Sequence, residues 1–154
     1  MSMKFLYMDE SKCTGCLECM YTCSYTFDKV RDLEHARLWI TKVGVNQYKM
    51  KSCMQCEDAP CMAACPENAI RKVGGRVIVV VSKCVGHGAC VAACPFGVIY
   101  QHAQTNKAVK CITCGQCVKA CPENALSIIS ADALANDKRK SFVKKLLDAT
   151  KVTY

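Results

Sequence analysis

Fifteen cysteines occur among the 154 residues of this sequence, and all of them fall in four short segments. The segments span residues 13–23, 53–65, 84–94 and 111–121. Cysteines pair as disulfides in oxidising compartments or bind soft metals as thiolates. An odd count suits complete disulfide pairing badly, and residues 1–10 show no signal peptide. We therefore expect a cytoplasmic, metal-binding protein.

The spacing of the cysteines indicates the kind of metal site. The first and fourth segments read C-x2-C-x2-C-x3-C, the second reads C-x2-C-x4-C-x3-C, and the third has His87 where its second cysteine would stand. The C-x2-C-x2-C-x3-C run is the spacing with which bacterial ferredoxins hold [4Fe-4S] cubes, the fourth thiolate reaching a second cube. Structural zinc favours two separated C-x2-C pairs instead. Iron–sulfur clusters are the favoured prediction, with zinc and disulfides as alternatives.

Repeated local patterns indicate the elements that position these cysteines. An Ala-Cys-Pro sequence recurs at 64–66, 93–95 and 120–122, and it predicts a short helix that ends near the proline and leads into a strand. Residues 70–73 and 76–81, joined by Gly74-Gly75, predict a two-residue hairpin. A second hairpin is predicted between 98–101 and 107–109, and the stretch between Ser24 and Ser52 is interpreted as a strand-rich insertion.

The chain changes character after residue 130. Residues 131–154 contain no cysteine and alternate basic with apolar side chains, which predicts a basic amphipathic helical tail. Such a helix packs on its own domain or on a partner, or rests on a membrane surface. No apolar run approaches the length of a membrane span. The predicted division is a four-motif polyferredoxin domain at 1–130 and the tail at 131–154.

The order of the four segments, with Glu57-Asp58-Ala59-Pro60 before Cys61, resembles the four-cluster iron–sulfur subunits of oxidoreductases. That family includes electron-transfer subunits of molybdenum and tungsten enzymes and the iron–sulfur partner of carbon monoxide dehydrogenase. The compact length is most similar to the small subunits of tungsten aldehyde oxidoreductase and class II benzoyl-CoA reductase complexes. The resemblance covers residues 1–130. It implies an α+β fold of tandem bacterial ferredoxin-like halves with pseudo-twofold symmetry, in which short helices and small antiparallel hairpins surround the clusters.

The same resemblance implies how the motifs share their ligands, since outer motifs pair with each other and inner motifs pair with each other. It assigns cluster 1 to Cys13, Cys16, Cys19 and Cys121; cluster 2 to Cys111, Cys114, Cys117 and Cys23; cluster 3 to Cys53, Cys56, Cys61 and Cys94; and an atypical cluster 4 to Cys84, Cys90 and Cys65 with His87. Three [4Fe-4S] clusters are thus expected with cysteine ligands alone. The fourth site is a His87-ligated [4Fe-4S] cluster, a [3Fe-4S] cluster or an empty site.

Basic residues lie next to the motifs at Lys12, Lys83, Lys110 and Lys119. They are interpreted either as solvated surface charge or as counter-charge that compensates the clusters and steers an acidic redox partner. His35 and His102 lie outside the ligand pattern and are expected to be ordinary surface or turn residues. Neither a nucleotide-binding glycine fingerprint nor a nucleophile with a base is present.

Every strong signal therefore concerns electron transfer rather than catalysis. The predicted function is an electron-transfer subunit of anaerobic metabolism that relays single electrons between a molybdenum or tungsten catalytic subunit and an external donor or flavoprotein. The alternatives are a free-standing polyferredoxin and, less favoured, a protein that binds a ligand at an open iron of the His87 site. The formal charge of +8 is offset by about −7 to −8 from four oxidised clusters, so no nucleic-acid partner is expected.

Overall fold

The computed structural model describes residues 3–130, 132 and 133. Most of the predicted basic tail, 131–154, therefore lies outside the described residues, and its helix stays a prediction. The α-helices in this part of the chain are α1 (Glu18–Asp28), α2 (Pro60–Ala64), α3 (Ala89–Ala93) and α4 (Gln116–Ala120). A 3-10 helix spans Leu33–His35. The eight strands are β1 (Lys4–Met8), β2 (Leu38–Gly44), β3 (Gln47–Ser52), β4 (Ile70–Val73), β5 (Arg76–Val79), β6 (Tyr100–Gln101), β7 (Ala108–Val109) and β8 (Leu126–Ser130).

The strands pair as four two-stranded antiparallel sheets: β1 with β8, β2 with β3, β4 with β5, and β6 with β7. The β4–β5 hairpin confirms the prediction at Gly74-Gly75, where both glycines have positive φ (56° and 74°), as a two-residue type I′ turn requires. The β6–β7 hairpin is also present, although only Tyr100–Gln101 and Ala108–Val109 form its ladder. Short helices and small hairpins together are consistent with a ferredoxin-like α+β fold.

Three short helices end where the repeat predicts. α2, α3 and α4 each stop at the alanine before Cys65, Cys94 and Cys121, and each of these cysteines adopts an extended backbone conformation before its proline. An extended residue before proline is expected because the proline ring clashes with a helical predecessor. The first motif lacks that proline, and α1 continues for eleven residues to Asp28. The insertion after it is helical at its start and contains the β2–β3 hairpin at its end.

The apolar core is divided among three groups of buried residues that include cysteines. One group lies around α1, α4 and the β1–β8 pair and includes Leu6, Met20, Leu38 and Leu126. A second lies around α2, α3 and the β4–β5 hairpin and includes Ile70, Val77 and Ile99. A third, small group consists of Cys53, Val98 and Cys111, with Trp39 and Cys94 packed against it. This third group is called the junction below, because it joins residues of the outer and inner motifs.

Within residues 3–130 and 132–133, no helix is both long enough and apolar enough to cross a membrane.

Candidate metal centres

Cysteines of two different motifs line each of four cavities. Site 1 is lined by Cys13, Cys16, Cys19 and Cys121; site 2 by Cys23, Cys111, Cys114 and Cys117; site 3 by Cys53, Cys56, Cys61 and Cys94; and site 4 by Cys65, Cys84, Cys90 and His87. These groups have the same members as the four ligand sets that the family resemblance implies. All fifteen cysteines lie in the described part of the chain, and each is a free thiol.

Each helix carries a cysteine to two neighbouring sites. Cys19 in α1 lines site 1, while Cys23, four residues later, lines site 2. Residues four apart lie on one helix face, separated by roughly 6 Å along the axis, so a single helix spans the two cavities. α4 spans them in the opposite sense, since Cys117 lines site 2 and Cys121 lines site 1.

The inner helices repeat this arrangement around the other two cavities. Cys61 at the start of α2 lines site 3, and Cys65 after its end lines site 4. Cys90 at the start of α3 lines site 4, and Cys94 after its end lines site 3. α1 contacts α4, and α2 contacts α3. Sites 1 and 2 therefore form one neighbouring pair, and sites 3 and 4 form another.

Backbone N–H groups donate to the sulfur atoms at all four sites. The donors and acceptors, with N to Sγ distances, are Arg37 to Cys23 (3.3 Å), Gln55 to Cys53 (3.4 Å), Ala69 to Cys65 (3.3 Å), Ala108 to Cys84 (3.3 Å), Thr113 to Cys111 (3.4 Å) and Ala125 to Cys121 (3.4 Å). Gln55 and Thr113 have positive φ (50° and 54°), which turns each N–H back towards the sulfur two residues earlier. Such donors stabilise negative charge on sulfur and raise the potential of a thiolate-ligated cluster.

Burial makes the inward-facing thiols hard to ionise on their own. Burial raises the pKa of Cys19 and Cys117 to about 12 and that of Cys111 to about 11. At Cys19 the neighbouring Cys13, Cys16 and Cys121 also raise the pKa when they are negatively charged. A positively charged metal core that displaces these protons would remove this penalty, because metal binding deprotonates its thiol ligands.

The loop that carries His87 is fixed by its flanking glycines. Gly86 and Gly88 have φ values of 79° and 82°, and a Cβ at Gly86 would lie 2.6 Å from the backbone oxygen of Asn106. The Gln101 side chain donates to the carbonyl of Gly86 at 2.8 Å. The loop is therefore held tightly against the β6–β7 turn, and only glycine fits at position 86.

His87 itself is exposed and lines site 4. The residues at the corresponding second position of the outer motifs, Cys16 and Cys114, are exposed as well. Exposure at this loop position is thus shared with two cysteines and does not set His87 apart from them. Whether His87 ligates iron, or leaves a [3Fe-4S] or empty site, stays a prediction.

The basic residues beside the motifs differ sharply in their surroundings. Lys12, Lys83 and Lys119 are exposed, as expected of solvated charge, whereas Lys110 is only 1% exposed. The interpretation as solvated surface charge is therefore wrong for Lys110. Position 110 resembles positions 12 and 83 in directly preceding a first cysteine, so the sequence alone carries no signal that separates them.

His102 is a turn residue, as expected, but it is not on the surface. The residue is 7% exposed, and Nδ1 accepts hydrogen bonds from the backbone N–H groups of Gln104 (3.3 Å) and Thr105 (3.4 Å). The Nε2 atom lies 3.4 Å from Oδ1 of Asp28. The ring of His35 packs against that of His102 with centroids 5.2 Å apart. These two histidines support the fold beside site 2, a role that their isolated positions in the sequence did not indicate.

Comparison with known proteins finds iron–sulfur domains in the part of the chain that carries the cysteine motifs. A model of the 4Fe-4S dicluster domain matches residues 45–139, and a model of the 4Fe-4S binding domain matches residues 10–26. Both matched regions contain the cysteine motifs described above.

Curated relatives share the matched region. "Electron transport protein HydN" of Escherichia coli strain K12 is 37% identical over a region covering 62% of this chain and 58% of that protein. "Thiosulfate reductase electron transfer subunit PhsB" of Salmonella typhi is 38% identical, covering 66% of this chain and 57% of that protein. The chain thus spans somewhat over half the length of these relatives. Their names agree with the prediction of an electron-transfer protein that is not itself an enzyme.

Among solved structures, the active-site complex BamBC of benzoyl-coenzyme A reductase, bound to benzoyl-CoA, contains a chain that aligns over 99% of both chains, with 16% identity and a TM-score of 0.49. That score is too low to establish a shared fold. The model of the dicluster domain, by contrast, covers more than half of the sequence. On that match, this chain belongs to the family of proteins with a 4Fe-4S dicluster domain.

Proposed function

We propose that this chain is an electron-transfer subunit that holds four iron–sulfur clusters and relays single electrons to and from a catalytic partner. The observation that carries the proposal is the grouping of all fifteen cysteines around four cavities, each lined from two motifs. Three cavities have four cysteines, and the fourth has three cysteines and His87. Thiolates with this spacing and this sharing between motifs suit [4Fe-4S] clusters.

The donor set fits a cluster better than a single metal ion. In the described part of the chain, no three side chains of His, Cys, Asp or Glu converge closely enough to hold one ion. A cube attaches each thiolate to a different iron atom, so its ligands stand farther apart than the ligands of one zinc ion. Four cysteines spread around a cavity match that requirement. The proposed ligands are therefore the residues that line sites 1 to 4.

In this proposal the sites form a line in the order 1, 2, 3 and 4. Helices α1 and α4 connect site 1 to site 2, and α2 and α3 connect site 3 to site 4. The junction joins site 2 to site 3, because Cys111 and Cys53 pack in one small buried group. When bound, the clusters supply one-electron redox chemistry. The residues of the chain hold adjacent sites close together, and Cys53 and Cys111 are buried where sites 2 and 3 meet.

The two ends of this line are open to solvent. Cys16 of site 1 and His87 of site 4 are exposed, whereas Cys53 and Cys111 at the junction are buried. Cys114 of site 2 is exposed too, so one flank of the line also reaches the surface. Electrons would enter and leave most directly at sites 1 and 4. One of these ends would face the catalytic subunit, and the other would face the donor or acceptor.

The partner is proposed from the relatives and from the motif order. The name of PhsB assigns that relative to a thiosulfate reductase as its electron-transfer subunit, and the motif order resembles subunits that serve molybdenum and tungsten enzymes. We therefore propose a molybdenum- or tungsten-dependent catalytic subunit, with an external reductant or a flavoprotein at the other end.

Two measurements on the native, anaerobically purified protein test the proposal. Iron analysis with Mössbauer spectroscopy should give about 16 iron atoms per chain, or about 15 with one [3Fe-4S] cluster. About 12 iron atoms would mean that site 4 is empty, and one or two metal ions per chain would exclude the cluster assignment. Size-exclusion chromatography from the source should show the chain within a larger complex. A lone species near 16.9 kDa would favour the free-standing polyferredoxin.

A further inference from the structure

A buried positive charge lies at the junction between sites 2 and 3. The side chain of Lys110 is 1% exposed and directs its ammonium group into the protein. Nζ donates to Sγ of Cys53 at 3.2 Å, to the carbonyl oxygen of Val77, and to the carbonyl oxygen of Cys111 at 3.3 Å. All three ammonium hydrogens thus have acceptors, one of which is a site 3 sulfur and another the backbone of a site 2 cysteine.

A lone buried ammonium is unfavourable, because burial removes its hydration. Among the ion pairs of the described residues, none involves Lys110. The Sγ atom of Cys53 lies 3.2 Å from Nζ, so a thiolate or cluster at site 3 would supply compensating negative charge.

The neighbouring glutamine holds this arrangement in place. Gln55 is fully buried, accepts the backbone N–H of Val77 at 2.7 Å and donates to the carbonyl of Cys111 at 2.8 Å. Val77 is thereby bound through its N–H to Gln55 and through its carbonyl to Lys110. Strand β5 is thus fastened to both cysteine loops, and the position of the ammonium is determined by the fold.

We propose that Lys110 is a positioning residue whose buried ammonium group raises the reduction potential at site 3 above that of the other all-cysteine sites. The inference rests on the proposed electron-transfer function. An electron passing from site 2 to site 3 removes one negative charge from the first site and adds one beside Lys110. No bond forms or breaks, and no proton moves. A fixed positive charge and a direct N–H···S bond both favour the reduced form of a cluster.

The experiment compares Lys110→Met with Lys110→Gln, Lys110→Arg and the control Lys83→Met. Lys83 also precedes a first cysteine directly but is exposed. Full-length proteins are purified anaerobically, their iron content is measured, and each cluster is titrated electrochemically with electron paramagnetic resonance as the readout. In Lys110→Met and Lys110→Gln we expect one cluster to shift to a lower potential by more than the other three. Lys110→Arg and Lys83→Met should leave the potentials close to those of the unsubstituted protein.

Unchanged potentials in loaded Lys110→Met, or an equal shift of all clusters, would overturn the proposal. If both neutral variants lose iron, Lys110→Arg decides between the outcomes. Retained iron with unchanged potentials in Lys110→Arg supports a requirement for the positive charge. Loss of iron from Lys110→Arg overturns the proposal. The iron content of the unsubstituted chain distinguishes a failure of this inference from a failure of the proposed electron-transfer function. A chain without [4Fe-4S] clusters refutes the proposed function, whereas a loaded chain with unmoved potentials refutes only the role of Lys110.

Discussion

Cys19 and Cys23 lie one turn apart on the same helix, yet they line different cavities. The first motif therefore contributes to two sites, and its last cysteine joins the ligands of the fourth motif. This sharing makes the effect of a single substitution depend on its position within the motif.

We expect Cys16→Ser and Cys121→Ser to alter the same cluster although 105 positions separate them (121 minus 16). Cys23→Ser should alter another cluster although it lies only seven positions from Cys16 (23 minus 16). Replacing one thiolate changes the charge and spin state of the cluster that it binds. Electron paramagnetic resonance of the three variants distinguishes the signals. A common altered signal in Cys16→Ser and Cys23→Ser would refute the sharing between motifs.

His87→Cys should lower the potential of one cluster and leave the other three unchanged. A thiolate adds negative charge where the imidazole is neutral, and additional negative charge disfavours reduction. His87→Ala should perturb the same signal. The control is Val85→Ala, since Val85 is 68% exposed in the same loop. If each of the four cluster potentials is the same in His87→Ala as in the unsubstituted protein, ligation by His87 is rejected.

We expect Gly86→Ala to lose iron faster than Gly74→Ala. Both glycines have positive φ, but the added Cβ at 86 would meet the Asn106 carbonyl at 2.6 Å, while that at 74 meets nothing within 4 Å. The positive φ alone costs about 1–2 kcal/mol for alanine, and the clash at 86 adds to it. Iron retention during anaerobic incubation measures the difference. Equal iron loss from both variants would show that the Asn106 contact has no effect.

His102→Ala should reduce the free energy of unfolding by about 2 kcal/mol. The substitution removes the acceptor for two backbone N–H groups and leaves the Asp28 carboxylate without its ring partner. His102→Asn should recover part of the loss, because its side-chain oxygen can accept a hydrogen bond. Gln104→Ala, at an exposed position, is the matched control. Thermal denaturation followed through cluster absorbance checks the order, and equal midpoints for His102→Ala and Gln104→Ala would contradict it.

Local patterns were sufficient to predict much of this structure. The Gly74-Gly75 turn needs two residues with positive φ, and glycine adopts that conformation without strain. The prolines after Cys65, Cys94 and Cys121 end their helices for an equally local reason. These features depend on neighbours in the sequence, and for that reason they can be read from it.

Other features depend on contacts between distant segments. The pairing of β1 with β8, in which Phe5 lies opposite Ile129, was not predicted. The two strands are so far apart in the sequence that no local turn pattern indicates their pairing. The burial of Lys110 has the same origin, because it depends on Val77 and Gln55 rather than on the adjacent cysteine. His102 is buried through Asp28, which lies 74 positions earlier (102 minus 28).

The sharing of cysteines between motifs also dictates an order of assembly during synthesis. All residues that line sites 3 and 4 have left the ribosome once Cys94 has emerged. Sites 1 and 2 stay incomplete until the fourth motif, which ends at Cys121, has been made. Strand β1 can pair only after β8, which follows that motif, has been made. The set of cysteines for the inner sites is therefore complete before the set for the outer sites. A chain cut after residue 94 would accordingly keep every cysteine that lines sites 3 and 4, but it would lose one cysteine of site 1 and three of site 2.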